Sequence, residues 1–280
     1  MPELAEVQTL AWQLRQVAAG RRIEALTPLR ASWLQAGDAS SLSGVTVATV
    51  SRWGKRLRFS MEDGQQLVVG LGMTGGFRVR KTTEAQDKHT VAEVLLEDGV
   101  RLDYVDPRRF GRAHLFADDA QAVAVLGGRI GVDAASRMTF KQLRELLAHH
   151  GGRALKAALL DQGGNGRGLS GLGNYLCDEM AWEARLHPER TVSSLTDREW
   201  IRLNRARMQV LLRALNAQGL SFSDYRHADG GEGQMLGKLR AYGRAGAPCL
   251  RCGTSMVKSV VAGRGTHHCP TCQPAAVTKT

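Results

Sequence analysis

Aromatic residues make up only 5% of this 280-residue chain, cysteine occurs five times, and the 27 acidic side chains are outnumbered by 38 lysines and arginines. Each shortage excludes something. No run of about 18 consecutive apolar residues occurs, so no membrane-spanning helix is expected. The opening segment lacks a basic start, a long apolar stretch and a small-residue cleavage site, and we expect a soluble cytoplasmic protein with no membrane partner. Four of the five cysteines lie within the last 32 residues, a crowding that suits a metal cluster in a reducing compartment better than a secreted disulfide framework. The deficit of acids leaves a formal net charge of +11 and a pI near 9.9, which favours an acidic polymer as partner, nucleic acid foremost. A solvated basic face is the alternative, and charge alone does not separate an enzyme from a passive binder.

The remaining composition is that of real cores: 43% of the residues are hydrophobic, and the length suits two modest domains with a small appendage. From Glu3 to Ala19 the apolar residues Leu4, Val7, Leu10, Leu14 and Val17 share one helical face, and Gly20 follows where a left-handed cap belongs. Between Ile23 and Phe116 the pattern shortens to apolar runs such as Val45–Val50, Gln66–Val69 and Val91–Leu96, separated by turns, which predicts an antiparallel β-sandwich. Thr139-Phe-Lys-Gln142 and Thr196-Asp-Arg-Glu199 have the form of capping boxes and open helices, the second with Leu203, Val210, Leu211 and Leu215 inward. The expected fold is α+β and multidomain: a β-sandwich domain over 1–130, a helical domain over 131–236, and a hairpin with its tail over 237–280, the last residues frayed.

Cys249-Leu-Arg-Cys252 and Cys269-Pro-Thr-Cys272 form two C-x2-C knuckles 16 residues apart, and four thiolates on paired turns enclose one tetrahedral zinc. With the tetrahedron filled, the ion is expected to be structural, stabilising a hairpin too small to fold alone. His267 and His268 are then ordinary hairpin residues. Cys177, inside an apolar helical pattern, reads as a small buried hydrophobe.

Met1-Pro-Glu-Leu-Ala-Glu6 resembles the start of the formamidopyrimidine-DNA glycosylase and endonuclease VIII family. In the family's order there follow Gly54-Lys55, Leu71-Gly-Met-Thr-Gly75, Asp106-Pro-Arg-Arg-Phe-Gly111, Lys156, Gly171-Leu-Gly-Asn174, Tyr242-Gly-Arg and the hairpin with Arg264 five residues before Cys269. The series spans almost the whole chain. The resemblance implies an N-terminal helix on a β-sandwich, a helix-two-turn-helix domain and a zinc hairpin. It also implies a bifunctional DNA glycosylase and AP lyase of base excision repair, a monomer acting on double-stranded DNA with damaged bases or abasic sites, at the bacterial nucleoid.

Loss of Met1 would expose a secondary α-amine at Pro2. An α-amino group titrates near 8, more than two units below lysine, so a useful fraction is nucleophilic at neutral pH. Proline there also simply starts a helix at no cost. The resemblance makes Pro2 the nucleophile, Glu3 the general acid and base, and Lys55 a phosphate contact that stabilises charge during elimination. Glu6, a turn beyond Glu3, joins the catalytic set, although a first-turn glutamate also favours the helix dipole. Met73, Arg108 and Phe110 match the residues that fill the vacancy left by an everted base. Asn174, Arg264 and Lys156 are expected on the DNA, the first two on its backbone.

Ala5, Gly70 and Val91 depart from the family's proline and two histidines. The segment from Ser221 to Arg244, with Asp229-Gly-Gly-Glu-Gly233, resembles the loop that closes over an everted oxidised purine such as 8-oxoguanine or a formamidopyrimidine. Gln234-Met235, expected at its tip, keeps oxidised pyrimidines or bulky lesions open as an alternative. A non-catalytic zinc-hairpin binder of damaged DNA is the rival of another class.

Overall fold

The computed structural model describes residues 2–163, 167–221 and 225–275. Helix α1 (Leu4–Ala18) buries Leu4, Val7, Leu10 and Leu14 of the predicted stripe together with Ala18, while Val17 is half-buried. Gly20 follows at φ 81°, a left-handed conformation that costs glycine nothing sterically. The strands come next: β1 (Ile23–Pro28), β2 (Leu34–Ala36), β3 (Val47–Trp53), β4 (Arg56–Met61), β5 (Gln66–Gly70), β6 (Gly76–Lys81), β7 (Thr90–Leu96), β8 (Val100–Val105) and β9 (Arg112–Phe116). They form a four-stranded sheet in the order β1-β7-β8-β6 and a five-stranded sheet in the order β2-β9-β5-β4-β3. One pairing departs from the antiparallel expectation: the short edge strand β2 runs parallel to β9.

Side chains from both sheets meet in one core with α1. Phe59 of β4 packs edge-on to Phe77 of β6 at 5.5 Å between ring centroids, and Phe77 does the same to Tyr104 of β8 at 5.2 Å. Each such pair adds about 0.5–1.5 kcal/mol beyond the area it buries. Helix α2 (Asp119–Leu126), capped by Asp118 accepting from Gln121 N–H, closes this stretch.

The chain divides into two compact units, Met1–Gly128 with Ala217–Leu236 and Arg129–Asn216 with Gly237–Thr280. This division breaks the chain near 130 and groups 217–236 with the first unit; the sequence reading set its bounds at 1–130 and 131–236. Strand β6 lies at the edge of its sheet and needs partners for its outer backbone groups. The returning segment supplies one: Val79 N–H donates to Ala228 O at 2.8 Å, Arg78 donates to Arg226 O, and Gln13 of α1 accepts from Ala228 N–H. The zinc hairpin, expected as a separate domain, belongs to the second unit.

That second unit holds β10 (Val132–Asp133) parallel to β11 (Leu169–Ser170), then α3 (Phe140–Leu147), α4 (Leu155–Leu160), α5 (Asn174–Ala184) and α6 (Asp197–Asn216), and ends with the hairpin of β12 (Val257–Val261) and β13 (Arg264–His268). Both predicted capping boxes form, Thr139 with Gln142 and Thr196 with Glu199. On α6 the inward row includes Trp200, Leu203, Val210 and Leu211, whereas Leu215 is only half-buried. Arg207 sits in that row, fully buried, donating to the carbonyls of Ala134 and Ser136 and to Asn204 Oδ1. Burial pulls its guanidinium down to about 10.

Candidate active site and nucleic-acid interface

Pro2 and Glu3 are buried, Glu3 to 4% exposure, directly ahead of α1. Glu3 and Glu6 form a reciprocal capping box in which Glu3 N–H donates to Glu6 Oε2 at 2.7 Å. The other oxygen, Glu6 Oε1, accepts from Leu220 N–H at 2.6 Å, and Tyr225 OH donates to Glu6 O at 2.9 Å. Glu6, expected in the catalytic set, therefore holds the start of the helix to the returning segment. Burial and the nearby Glu6 carboxylate push the Tyr225 phenol well above its ordinary value, so it stays a neutral donor. Met1 lies outside the described residues.

Helix α1 packs on β3 and β4, and the turn between those strands carries Lys55, half-buried, after Gly54 at φ 63°. A positive φ at the first of two turn residues is the II′ hairpin pattern that glycine permits. Arg52 ties this turn to the helix, donating to Gln8 Oε1 at 3.0 Å and to Gly54 O at 3.2 Å. The sequence reading missed Arg52, because nothing in a lone strand arginine announces a bridge to a residue 44 positions away.

Met73 is 41% exposed and Phe110 52% exposed, as expected for residues outside the core, and the Arg108 guanidinium lies 4.7 Å over the Phe110 ring. Their two loops are laced together. Thr74 donates to Asp106 Oδ1, Asp106 Oδ2 accepts from Gly111 N–H at 2.8 Å, and Arg108 N–H reaches Thr74 Oγ1 at 3.2 Å. Tyr104 OH donates to Leu71 O at 3.1 Å beneath them. A Cβ at Gly75 or Gly111 would overlap that hydroxyl, which explains two glycines at once. Burial and Asp106 hold the Tyr104 phenol above its ordinary value, keeping it a donor. Arg109 takes the left-handed φ of 58°, a conformation uncommon for a residue with a Cβ.

In the second unit Asn174 begins α5 and its Nδ2 donates to Gly265 O at 3.0 Å, beside Arg264, which is exposed at the start of β13. Lys156 is 1% exposed. Its ammonium pairs with Asp178 Oδ1 at 2.6 Å and donates to Gly265 O at 2.9 Å and Thr266 Oγ1 at 2.8 Å, so Lys156, expected on the DNA, is engaged inside the protein.

The four cysteine sulfurs lie within 4.8 Å of one another, with Cys249 to Cys272 at 4.0 Å and Cys252 to Cys269 at 3.5 Å. A zinc tetrahedron with bonds of about 2.3 Å has edges of about 3.8 Å, so the four Sγ atoms fit one ion. Arg251 N–H and Cys272 N–H point at Cys249 Sγ and Cys269 Sγ at 3.5 and 3.3 Å. Burial and the neighbouring thiols push Cys272 up to about 12; four thiolates gather only around a cation. His267 and His268 are not in this set, nor are they ordinary: both are buried, and His267 N–H and Nδ1 face Asp178 Oδ2.

Residues 1–113 match the formamidopyrimidine-DNA glycosylase N-terminal domain, 130–225 the H2TH domain of the same enzymes, and 246–275 the zinc finger found in FPG and IleRS. The formamidopyrimidine-DNA glycosylase of Shouchella clausii is 37% identical over 98% of this chain and 99% of its own length. The chain belongs to the formamidopyrimidine-DNA glycosylase family. Among solved structures, the MutM (Fpg) protein of Thermus thermophilus superposes with a TM-score of 0.87 at 38% identity over 99% of this chain and 100% of that one. A Lactococcus lactis Fpg variant in complex with DNA containing Fapy-dG gives 0.89 at 31% identity over 98% and 100%. The protein is accordingly a base-excision DNA glycosylase with lyase activity and one structural zinc site. No helix among the described residues is long and apolar enough to cross a membrane.

The three departures from the family pattern lie in different surroundings. Ala5 is fully buried in the first turn of α1, and Val91 is a core residue of β7 at 4% exposure, where a histidine would need a buried hydrogen-bond partner. Gly70 sits in register between Arg56 and Arg112 on the flanking strands. Gln234-Met235, expected at a loop tip, lies at the loop's base: Gln234 N–H donates to Ala217 O, Met235 N–H to Gly219 O, and Met235 is fully buried. Residues 222–224, inside the predicted lesion loop, lie outside the described residues.

Proposed function

We propose that this glycosylase removes oxidised bases, purines such as 8-oxoguanine and formamidopyrimidines foremost, from duplex DNA at the nucleoid, with Pro2 as nucleophile. The burial of Pro2 and Glu3 at the root of α1 carries the reading: groups fixed by their surroundings are oriented for chemistry. In this scheme the amine freed by loss of Met1 bonds to sugar C1′ as the bond from C1′ to the base breaks. Glu3 protonates the oxygen of the opening sugar ring. The resulting iminium acidifies C2′, loss of that proton expels the 3′ phosphate, and a second elimination expels the 5′ phosphate. Lys55 binds a phosphate beside the lesion. Met73, Phe110 and Arg108 occupy the vacated stack and meet the orphaned base, while Asn174 and Arg264 grip the backbone.

Borohydride trapping on duplexes carrying 8-oxoguanine, an oxidised pyrimidine or a plain abasic site, with the adduct mapped by mass spectrometry and a Pro2→Gly variant alongside, tests this. The expected adduct is strongest on 8-oxoguanine, lies on the N-terminal peptide and falls sharply in the variant. An adduct on an internal lysine would replace Pro2, and a stronger adduct on the pyrimidine would replace the purine preference.

A further inference from the structure

The buried pair of Lys156 and Asp178 plays no part in that chemistry, yet both side chains have no exposed surface. Burying two charges is costly, and apolar residues of similar volume commonly stabilise a fold as well or better. What the pair adds is direction. Lys156 reaches Gly265 O and Thr266 Oγ1 besides Asp178 Oδ1, Asp178 Oδ2 accepts from His267 N–H at 2.9 Å and faces His267 Nδ1 at 3.1 Å, and Asn174 donates to the same Gly265 carbonyl. Three consecutive residues of β13, immediately after Arg264, are thus fixed by side chains from α4 and α5. The adjoining hairpin turn places both Ala262 and Gly263 at positive φ, 51° and 71°, so β13 begins from a tightly defined corner.

We propose that Lys156 and Asp178 are positioning residues that lock the second strand of the zinc hairpin in register with α5, so that Asn174 and Arg264 present their donors to one stretch of phosphate backbone. Lys156 does this without touching DNA. The inference rests on the phosphate-binding reading of Asn174 and Arg264.

The test is a double-mutant cycle on zinc-loaded full-length protein, reading Kd for a duplex with a stable abasic analogue, zinc content and the unfolding midpoint. Asn174→Ala and Arg264→Ala must each weaken binding; if neither does, the phosphate reading fails and the inference falls with it. Given that they do, Lys156→Met should weaken binding about tenfold, the scale of one charge-assisted contact, and have almost no further effect in the Asn174→Ala/Arg264→Ala background. Additive losses would mean that Lys156 acts on its own and overturn the inference. The Lys156→Met/Asp178→Leu double variant removes both buried charges and should regain the zinc content and midpoint of the wild type while its affinity stays reduced. Recovery of affinity together with stability would make the pair merely structural and equally overturn it.

Discussion

Glu6 gives both carboxylate oxygens to backbone amides, one at each end of a link between the start of α1 and the segment returning at Leu220. Glu6→Gln keeps the shape but leaves one of those N–H groups facing an amide that donates, so stability should fall by about 1–3 kcal/mol, with slower trapping of the abasic intermediate. An unchanged midpoint in thermal denaturation would refute the link. Gly111 is a second such residue: its Cβ would overlap the Tyr104 hydroxyl, and Gly111→Ala should cost about 1–3 kcal/mol through overpacking, shifting the loops that carry Met73 and Phe110. Tryptic cleavage after Arg108 or Arg109 should then accelerate. Neither role was legible beforehand, because the partners of Glu6 and of Gly111 come from distant parts of the chain.

Among the elements, α5 carries Asn174 at its first residue, Asp178 in its middle and Arg185 at its C-cap, where φ is 57°. A non-glycine residue there bears a left-handed strain of about 1 kcal/mol, and Arg185 is exposed. Arg185→Gly should therefore raise stability by about that amount in urea denaturation; a loss would show that its side chain has a role the strain serves. The zinc hairpin is the opposite case, an element whose folding depends on its ion. Cys249→Ser or Cys272→Ser should abolish zinc and duplex binding while Met1–Gly128 retains its β-sheet signal in circular dichroism. Full affinity without zinc would refute the hairpin's place on DNA.

At the scale of the molecule, a net charge of +11 predicts strong salt dependence, and Arg264→Ala should flatten the slope of log Kd against log salt by about 0.9, one displaced counterion. His150 and His187 add a pH dependence. Burial holds both below the ordinary histidine value, with His149 and Arg153 adding to the effect at His150 and Arg190 at His187. The unfolded chain takes up these protons near pH 6.5 while the folded chain does so only at lower pH. Stability should thus be full above that value and fall as pH drops below it. Unfolding midpoints between pH 7.5 and 5.5 check this, with His150→Asn expected to show the shallower decline.

The sequence by itself determined the helix at the start, the sandwich, the capping boxes and the four-cysteine zinc site, because each is written in local periodicity or spacing that needs no distant partner. It also named Pro2, Glu3, Lys55 and the Met73, Arg108 and Phe110 trio through resemblance to the family. Tertiary structure alone decided that Lys156 is buried on Asp178, that Arg207 lies in an apolar row, that Gln234-Met235 closes the base of a loop, and that 217–236 returns to the first unit. These depend on which distant backbone groups lack a hydrogen-bond partner, and a strand edge or a buried carbonyl becomes a constraint only once the chain has folded around it.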